Sequence, residues 1–140
     1  MEELYRLPGD TPHLEHTLSP GELIVEVRVP GGTHGSRARY LKVRDRASYE
    51  FALVSTAAAL FSEDGVIRQA RLAVGGVGTR PWRLRACEAA LIGRPPDRLT
   101  FEAAAELAAQ GTRPLQHNHY KIELLPRTIV RALELAGEVA

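Results

Sequence analysis

A chain of 140 residues, 44% hydrophobic and 25% charged, has the length and composition of one globular domain with an ordinary core, which excludes disorder. The formal net charge is +1 and the arginines are spread along the sequence, which excludes a nucleic-acid footprint and a polybasic membrane patch. Cys87 is the only cysteine, so neither an intrachain disulfide nor a cysteine-based metal or iron–sulfur site can be built, and a reducing cytoplasm is the expected location. The opening MEELYRLPGDTP lacks the apolar h-region of a signal peptide, and no apolar run approaches the ~20 residues of a membrane span.

Met1 to Pro20 is rich in proline, glycine and charge. The first strand is expected over Leu23–Val29, where Leu23, Val25, Val27 and Val29 fall on one face and Ile24, Glu26 and Arg28 on the other. Pro30 and Gly31-Gly32 end it, and GGTHGSR (31–37) reads as a flexible loop. Ala38–Arg44 is a short cationic segment with Tyr40 and Lys42 on one side if extended. Such a charge run is ordinarily a solvated face.

Two apolar runs then flank Glu63-Asp64-Gly65. Aspartate and glycine reach the positive φ angles of tight hairpin turns at little steric cost, so a β-hairpin is expected from Phe51 to Val74. After the turn, Val66, Arg68, Ala70, Leu72 and Val74 alternate with Ile67, Gln69, Arg71 and Ala73, which is a strand period. The first run, Phe51–Phe61, has the alanines and the length of a helix as well; strand is preferred. Gly75-Gly76-Val77-Gly78 lacks the Lys-Ser/Thr of a P-loop and the spacing of a dinucleotide fingerprint, so its glycines are read as letting the strand end, bend and pack closely. Trp82 is read as a core or interface plug.

Three helices fill the remainder. Arg85–Ile92 ends at Gly93, before Pro95-Pro96. Thr100 is the N-cap candidate for Phe101–Gln110, with an apolar stripe of Phe101, Ala104, Ala105 and Ala108, closed by Gly111. Ile122, Leu125, Ile129, Leu133 and Ala136 form the core-facing stripe of the last helix. A proline in a regular helix interior costs roughly 3 kcal/mol, so that helix either begins near Leu125 with Pro126 in its first turn or is kinked there; the later start is favoured. His117 and His119 lack a third ligand, an HExxH helix or a cysteine pair, so a zinc site is not expected. No Ser-His-Asp order or paired catalytic carboxylates can be singled out, and Cys87 reads as a small buried apolar residue. The expected fold is α+β: an antiparallel sheet of three to four strands packed against a C-terminal group of three helices.

Several pieces, in their order and spacing, carry a family resemblance: Leu7-Pro8-Gly9-Asp10-Thr11-Pro12, Arg39-Tyr40-Leu41-Lys42, Phe51-Ala52-Leu53-Val54-Ser55, Gly75-Gly76-Val77-Gly78 with Pro81-Trp82 behind it, and His117-Asn118-His119-Tyr120-Lys121. Together they resemble the C-terminal domain of the FAD-binding subunit of molybdenum hydroxylases, the group of xanthine dehydrogenase, aldehyde oxidoreductase and carbon monoxide dehydrogenase. The resemblance implies that residues 1–20 are a linker leading from an absent FAD-binding domain and that 21–140 are the flavoprotein C-terminal domain. It places Lys42 where the family brings a lysine towards the flavin, with Tyr40 and Arg46, and Tyr49 beside them, in the same segment. A cation there would steady negative charge on the reduced ring.

In such proteins FAD lies between two domains, and electrons pass from iron–sulfur clusters and a molybdenum cofactor to an acceptor. The resemblance therefore implies an oxidoreductase component, inactive and without tight FAD alone, whose partners are an FAD-binding domain or chain and molybdenum and iron–sulfur subunits. The loop 111–121 would lie towards those interfaces and serve docking. The competing reading is a non-catalytic interaction or dimerisation module left from a split flavoprotein gene, in which an exposed apolar patch drives self-association into a homo-oligomer.

Overall fold

Asp64 and Gly65 both adopt left-handed backbone, with φ of 53° and 72°. Positive φ at both central residues is the type I′ turn, whose twist matches that of the strands it joins. It links strands β2 (Val54–Glu63) and β3 (Val66–Gly75), each ten residues long. The computed structural model describes residues 4–29, 31 and 37–137. Strand β1 (Ala38–Val43) pairs antiparallel with β2, and β4 (Trp82–Arg83) with β3, giving a four-stranded sheet in the order β1-β2-β3-β4.

Register decides which side chains face the core. Thr56, Ala58 and Leu60 of β2 pair with Val74, Leu72 and Ala70 of β3, and all six are buried. Between Phe61 and Ser62 the register shifts: Phe61 pairs with Gln69 and Ser62 with Ile67, so Arg68 is the extra residue of a β-bulge. The bulge resets the alternation. Ile67 is fully buried while Arg68 points to solvent, the reverse of what an unbroken period of two gives.

Helices α1 (Arg85–Leu91), α2 (Arg98–Glu106) and α3 (Tyr120–Gly137) supply the second layer. Leu91, Phe101, Ala104, Ala105, Leu125, Ile129 and Leu133 meet the inner face of the sheet in one core. Gly93, at φ 78°, turns the chain out of α1, and its N–H donates to Ile67 O at 2.9 Å. Among the described residues no helix is long and apolar enough to cross a membrane.

The expected hairpin and three helices are present, and the structure corrects three further expectations. The N-cap of α2 is Asp97, whose carboxylate accepts from Thr100 N at 2.8 Å; Thr100 lies inside the first turn, because Asp97 has the extended backbone a cap requires and Pro95-Pro96 ends just before it. Helix α3 begins at Tyr120, not near Leu125, and runs through Pro126. Its opening is set by Lys121 N to Asn118 O and Ile122 N to His119 O, and tertiary packing of Leu125, Thr128 and Ile129 outweighs the one hydrogen bond that Pro126 cannot donate. Thr128 Oγ1 also donates to Leu124 O at 2.7 Å beside it.

The third correction concerns Leu23–Val29, which is not a strand. It runs without sheet pairing and its apolar side chains are exposed, because no neighbouring strand among the described residues offers it a ladder. The fourth strand is instead Trp82–Arg83. Upstream, Tyr5 and His16 form an isolated antiparallel bridge. Residues 32–36 of the expected 31–37 loop lie outside the described residues.

Candidate functional site

The same register that buries one face of the sheet defines its outer face. Lys42 pairs with Ser55, Tyr40 with Ala57 and Ala38 with Ala59; across β2, those residues pair with Gly75, Ala73 and Arg71. The floor is therefore made of alanine, serine and glycine, while Tyr40, Lys42, Arg71 and Arg83 stand around it. An open depression of about 450 Å³ lies over Ala57, Ala59 and Ala73, bounded by Tyr40, Arg71 and Arg83.

Lys42 is half-buried, and its Nζ donates to the carbonyl of Glu50 in the loop that joins β1 to β2. Arg46 lies in that loop; its backbone N–H donates to Glu50 Oε2 at 2.9 Å and its guanidinium to the Tyr49 carbonyl. The loop closes where Leu53 N donates to Val43 O at 2.8 Å. Tyr49 is held at φ 51°, and its ring and that of Phe51 are almost fully exposed. Lys42 and Tyr40 thus share a face, as their alternation predicts, whereas Arg46 braces the loop beside them.

Glu50, absent from the sequence reading, is the common partner of Lys42 and Arg46. Its position eight residues after Lys42 gives no periodic signal by which it could have been found. Arg71 was equally hidden, because its placement over Ala59 requires the hairpin register. The junction of β4 and α1 holds a further pair: Arg83 makes two 2.9 Å hydrogen bonds to the carboxylate of buried Glu88, and Glu88 Oε1 also accepts from Leu72 N at 2.9 Å. Burial raises the pKa of the Glu88 carboxyl. The hydrogen bonds from Arg83 and Leu72 and the charges of Arg83 and Arg71 outweigh burial and hold it below the ordinary carboxylate value.

The glycine run packs as expected. A Cβ at Gly76, whose φ is 75°, would lie 2.9 Å from the carbonyl oxygens of Ala52 and Leu53, and one at Gly78 would lie 2.5 Å from Trp82 Nε1. Trp82 is part-exposed and lies under the Arg80 guanidinium, 4.6 Å from the ring centroid. Lys121 Nζ reaches the Gly76 carbonyl at 2.6 Å, tying the start of α3 to the run. His117 and His119 are exposed, and among the described residues no group of three or more His, Cys, Asp or Glu could hold a metal ion. Cys87 is buried; burial outweighs a backbone hydrogen bond and raises its thiol pKa.

An antiparallel four-stranded sheet with three helices packed on one face is the architecture of a known class of domain. The chain belongs to the family of CO dehydrogenase flavoprotein C-terminal domains, whose model matches residues 39–136. It is 41% identical over 136 residues, 95% of its length, to the FAD-binding subunit of an aldehyde oxidoreductase of Escherichia coli, of which it covers 38%. It is 32% identical over 133 residues to subunit alpha of the 6-hydroxypseudooxynicotine dehydrogenase complex of Paenarthrobacter nicotinovorans, covering 45% of that protein. The chain thus spans less than half the length of either relative. Its fold matches a chain of reconstituted CO dehydrogenase from Oligotropha carboxidovorans with a TM-score of 0.82 at 21% identity, over 99% of this chain and 48% of that one.

Proposed function

We propose that this chain acts as the C-terminal domain of the FAD subunit of a molybdenum-hydroxylase-type oxidoreductase, where its outer sheet face covers the flavin and its loops dock the partner subunits. The observation that carries this reading is the lysine on the alanine-floored face. Lys42 Nζ uses one of its donors on Glu50 O and keeps two for an anionic or carbonyl acceptor. A floor of Ala57, Ala59 and Ala73 leaves room for a planar ring to approach the backbone, a space that larger side chains would fill. These residues fit one wall of a flavin site. The pyrophosphate would be held by another part of the subunit, so this chain by itself is expected to hold FAD weakly.

Bound FAD would supply electron exchange between an iron–sulfur partner and an external acceptor. The chain's own residues would do the rest. Lys42 would set a positive charge against the ring, and the Glu50 carbonyl would fix the height of that charge. Tyr40 would border the ring on the same face, and the Arg46-braced loop with Tyr49 and Phe51 would exclude water at its edge. Under this reading molybdenum and iron–sulfur subunits are the partners, and acceptor and reducing substrate are set outside this domain.

Lys42→Ala in the assembled subunit is expected to lower FAD content or slow flavin reoxidation several-fold, with an unchanged circular dichroism spectrum. Flavin content and reoxidation both equal to wild type would remove Lys42 from the site.

A further inference from the structure

The cation on which the proposed site depends is held at second hand. Lys42 Nζ donates to the Glu50 carbonyl, and Glu50 belongs to the β1–β2 loop, which closes where Leu53 N donates to Val43 O at 2.8 Å. The position of Lys42 therefore follows that of residues 50–53. Ala52 and Leu53 in turn lie against Gly76, at φ 75°, where a Cβ would come within 2.9 Å of both their carbonyl oxygens and 3.3 Å of the Leu53 carbonyl carbon. Backbone meets backbone there, with no flexible side chain between to absorb a shift.

A glycine-rich run does not hold itself in place. The pairing of β3 with β2 ends at Gly75, opposite Ser55, and among the described residues no backbone hydrogen bond outside the helices and strands involves Gly76. Its carbonyl accepts instead from Lys121 Nζ at 2.6 Å, across 45 positions of sequence. A hydrogen bond from an ammonium group is roughly twice as strong as one between neutral partners. Lys121 lies in the first turn of α3, where a cation stands at the positive end of the helix dipole, so the stability of α3 does not call for it. The helix itself is anchored in the core through Leu125, Ile129 and Leu133, which makes it a fixed base for the bond.

We infer that Lys121 is a positioning residue for Lys42: by pinning the Gly76 carbonyl to the first turn of α3, it seats Gly76 against Ala52 and Leu53 and so fixes the Glu50 carbonyl on which the Lys42 ammonium rests. The effect on a bound flavin rests on the proposed function, whereas the effect on the loop is a property of this chain by itself. The helix layer thereby sets the geometry of the opposite, outer face of the sheet by way of the β1–β2 loop.

The test uses Lys121→Met, which keeps the length of the side chain and removes its charge and donors, with Lys121→Arg as the conservative variant. In the chain alone, hydrogen exchange of the Leu53 amide is expected to be about tenfold faster in Lys121→Met and close to the wild-type rate in Lys121→Arg, while the amides of the β2–β3 ladder keep theirs. Gly76→Ala, which forces the same contact apart from the other side, is expected to speed Leu53 in the same way. Unchanged Leu53 exchange in Lys121→Met overturns the inference. So does a uniform speeding across the sheet, loss of the fold included, because Lys121 would then only stabilise the domain as a whole. In the flavin-loaded subunit Lys121→Met is expected to slow flavin reoxidation several-fold, and the double variant with Lys42→Ala to be no slower than Lys42→Ala alone, since both act through one group. Additive losses overturn the inference. A subunit in which Lys42→Ala changes neither flavin content nor reoxidation counts against the proposed function, and Leu53 exchange in the chain alone still decides the positioning.

Discussion

Thr56 is fully buried on β2, facing the helices, and its hydroxyl has no hydrogen-bond partner among the described residues. A buried donor without a partner loses its water and gains nothing in return, at a cost of about 1–3 kcal/mol. Thr56→Val keeps the shape and β-branching while removing that group. It is expected to stabilise the chain by about 1 kcal/mol, read as a shift of the urea midpoint to higher concentration at constant slope. A lower midpoint would mean that the hydroxyl has found a partner such as bound water. The contrast with Lys42 is instructive: both lie on strands of one sheet, but Lys42 faces outward, and its Nζ is engaged by Glu50 O. Residue type alone could not separate an engaged polar group from an orphaned one. The parity of the register does.

Helix α1 has seven residues, too few to be stable alone, and its N-cap Leu84 makes no side-chain capping bond. What fixes it is the fork of Arg83 on Glu88 together with the Leu72 amide that Glu88 accepts. Strand β4 stops after two residues, so the carboxylate takes an amide of β3 that a longer strand would have paired. Glu88→Gln is expected to cost about 1–3 kcal/mol, the upper values being discounted because Arg83 is part-exposed. Since the folded carboxyl is held below its ordinary value, its contribution is full above the ordinary carboxylate range and disappears as pH falls through the folded value. The wild type should therefore lose stability on acidification more steeply than Glu88→Gln when both are melted across that range. Parallel acid limbs would show that the fork contributes nothing. At this scale the hairpin and the helices were legible in the sequence, because Asp64-Gly65, Gly93 and the apolar stripe of α3 are local signals. The start of α3 was not, because its packing outweighs Pro126, and neither was β4, whose two residues carry no period. The alternation of Leu23–Val29 pointed to a strand that does not form, because a period of two does not supply the neighbouring strand that a ladder needs.

At the scale of the whole molecule, one core lies between the inner sheet face and three helices, leaving the outer face, the β1–β2 loop and the 23–29 segment turned outward. The fold class and the family were legible from order and spacing; the layout of the outer face required the register. The burial of Cys87 has a practical consequence. This single thiol is 1% exposed, and it sits beside Glu88 on the helix that the fork pins, at a point where α1 meets the core. With its pKa raised, it is unreactive until α1 lifts, so its rate of modification by a thiol reagent is an internal clock for opening of the domain. The wild type is expected to react orders of magnitude more slowly than the urea-unfolded chain, and Glu88→Gln about tenfold faster than the wild type. Reaction of the native chain at the unfolded rate would mean that the helix layer is not closed over the sheet. Under the proposed function, binding of an FAD-binding partner should slow the clock in proportion to how tightly the assembly holds this domain shut, so one unlabelled side chain would report assembly without any signal from a flavin.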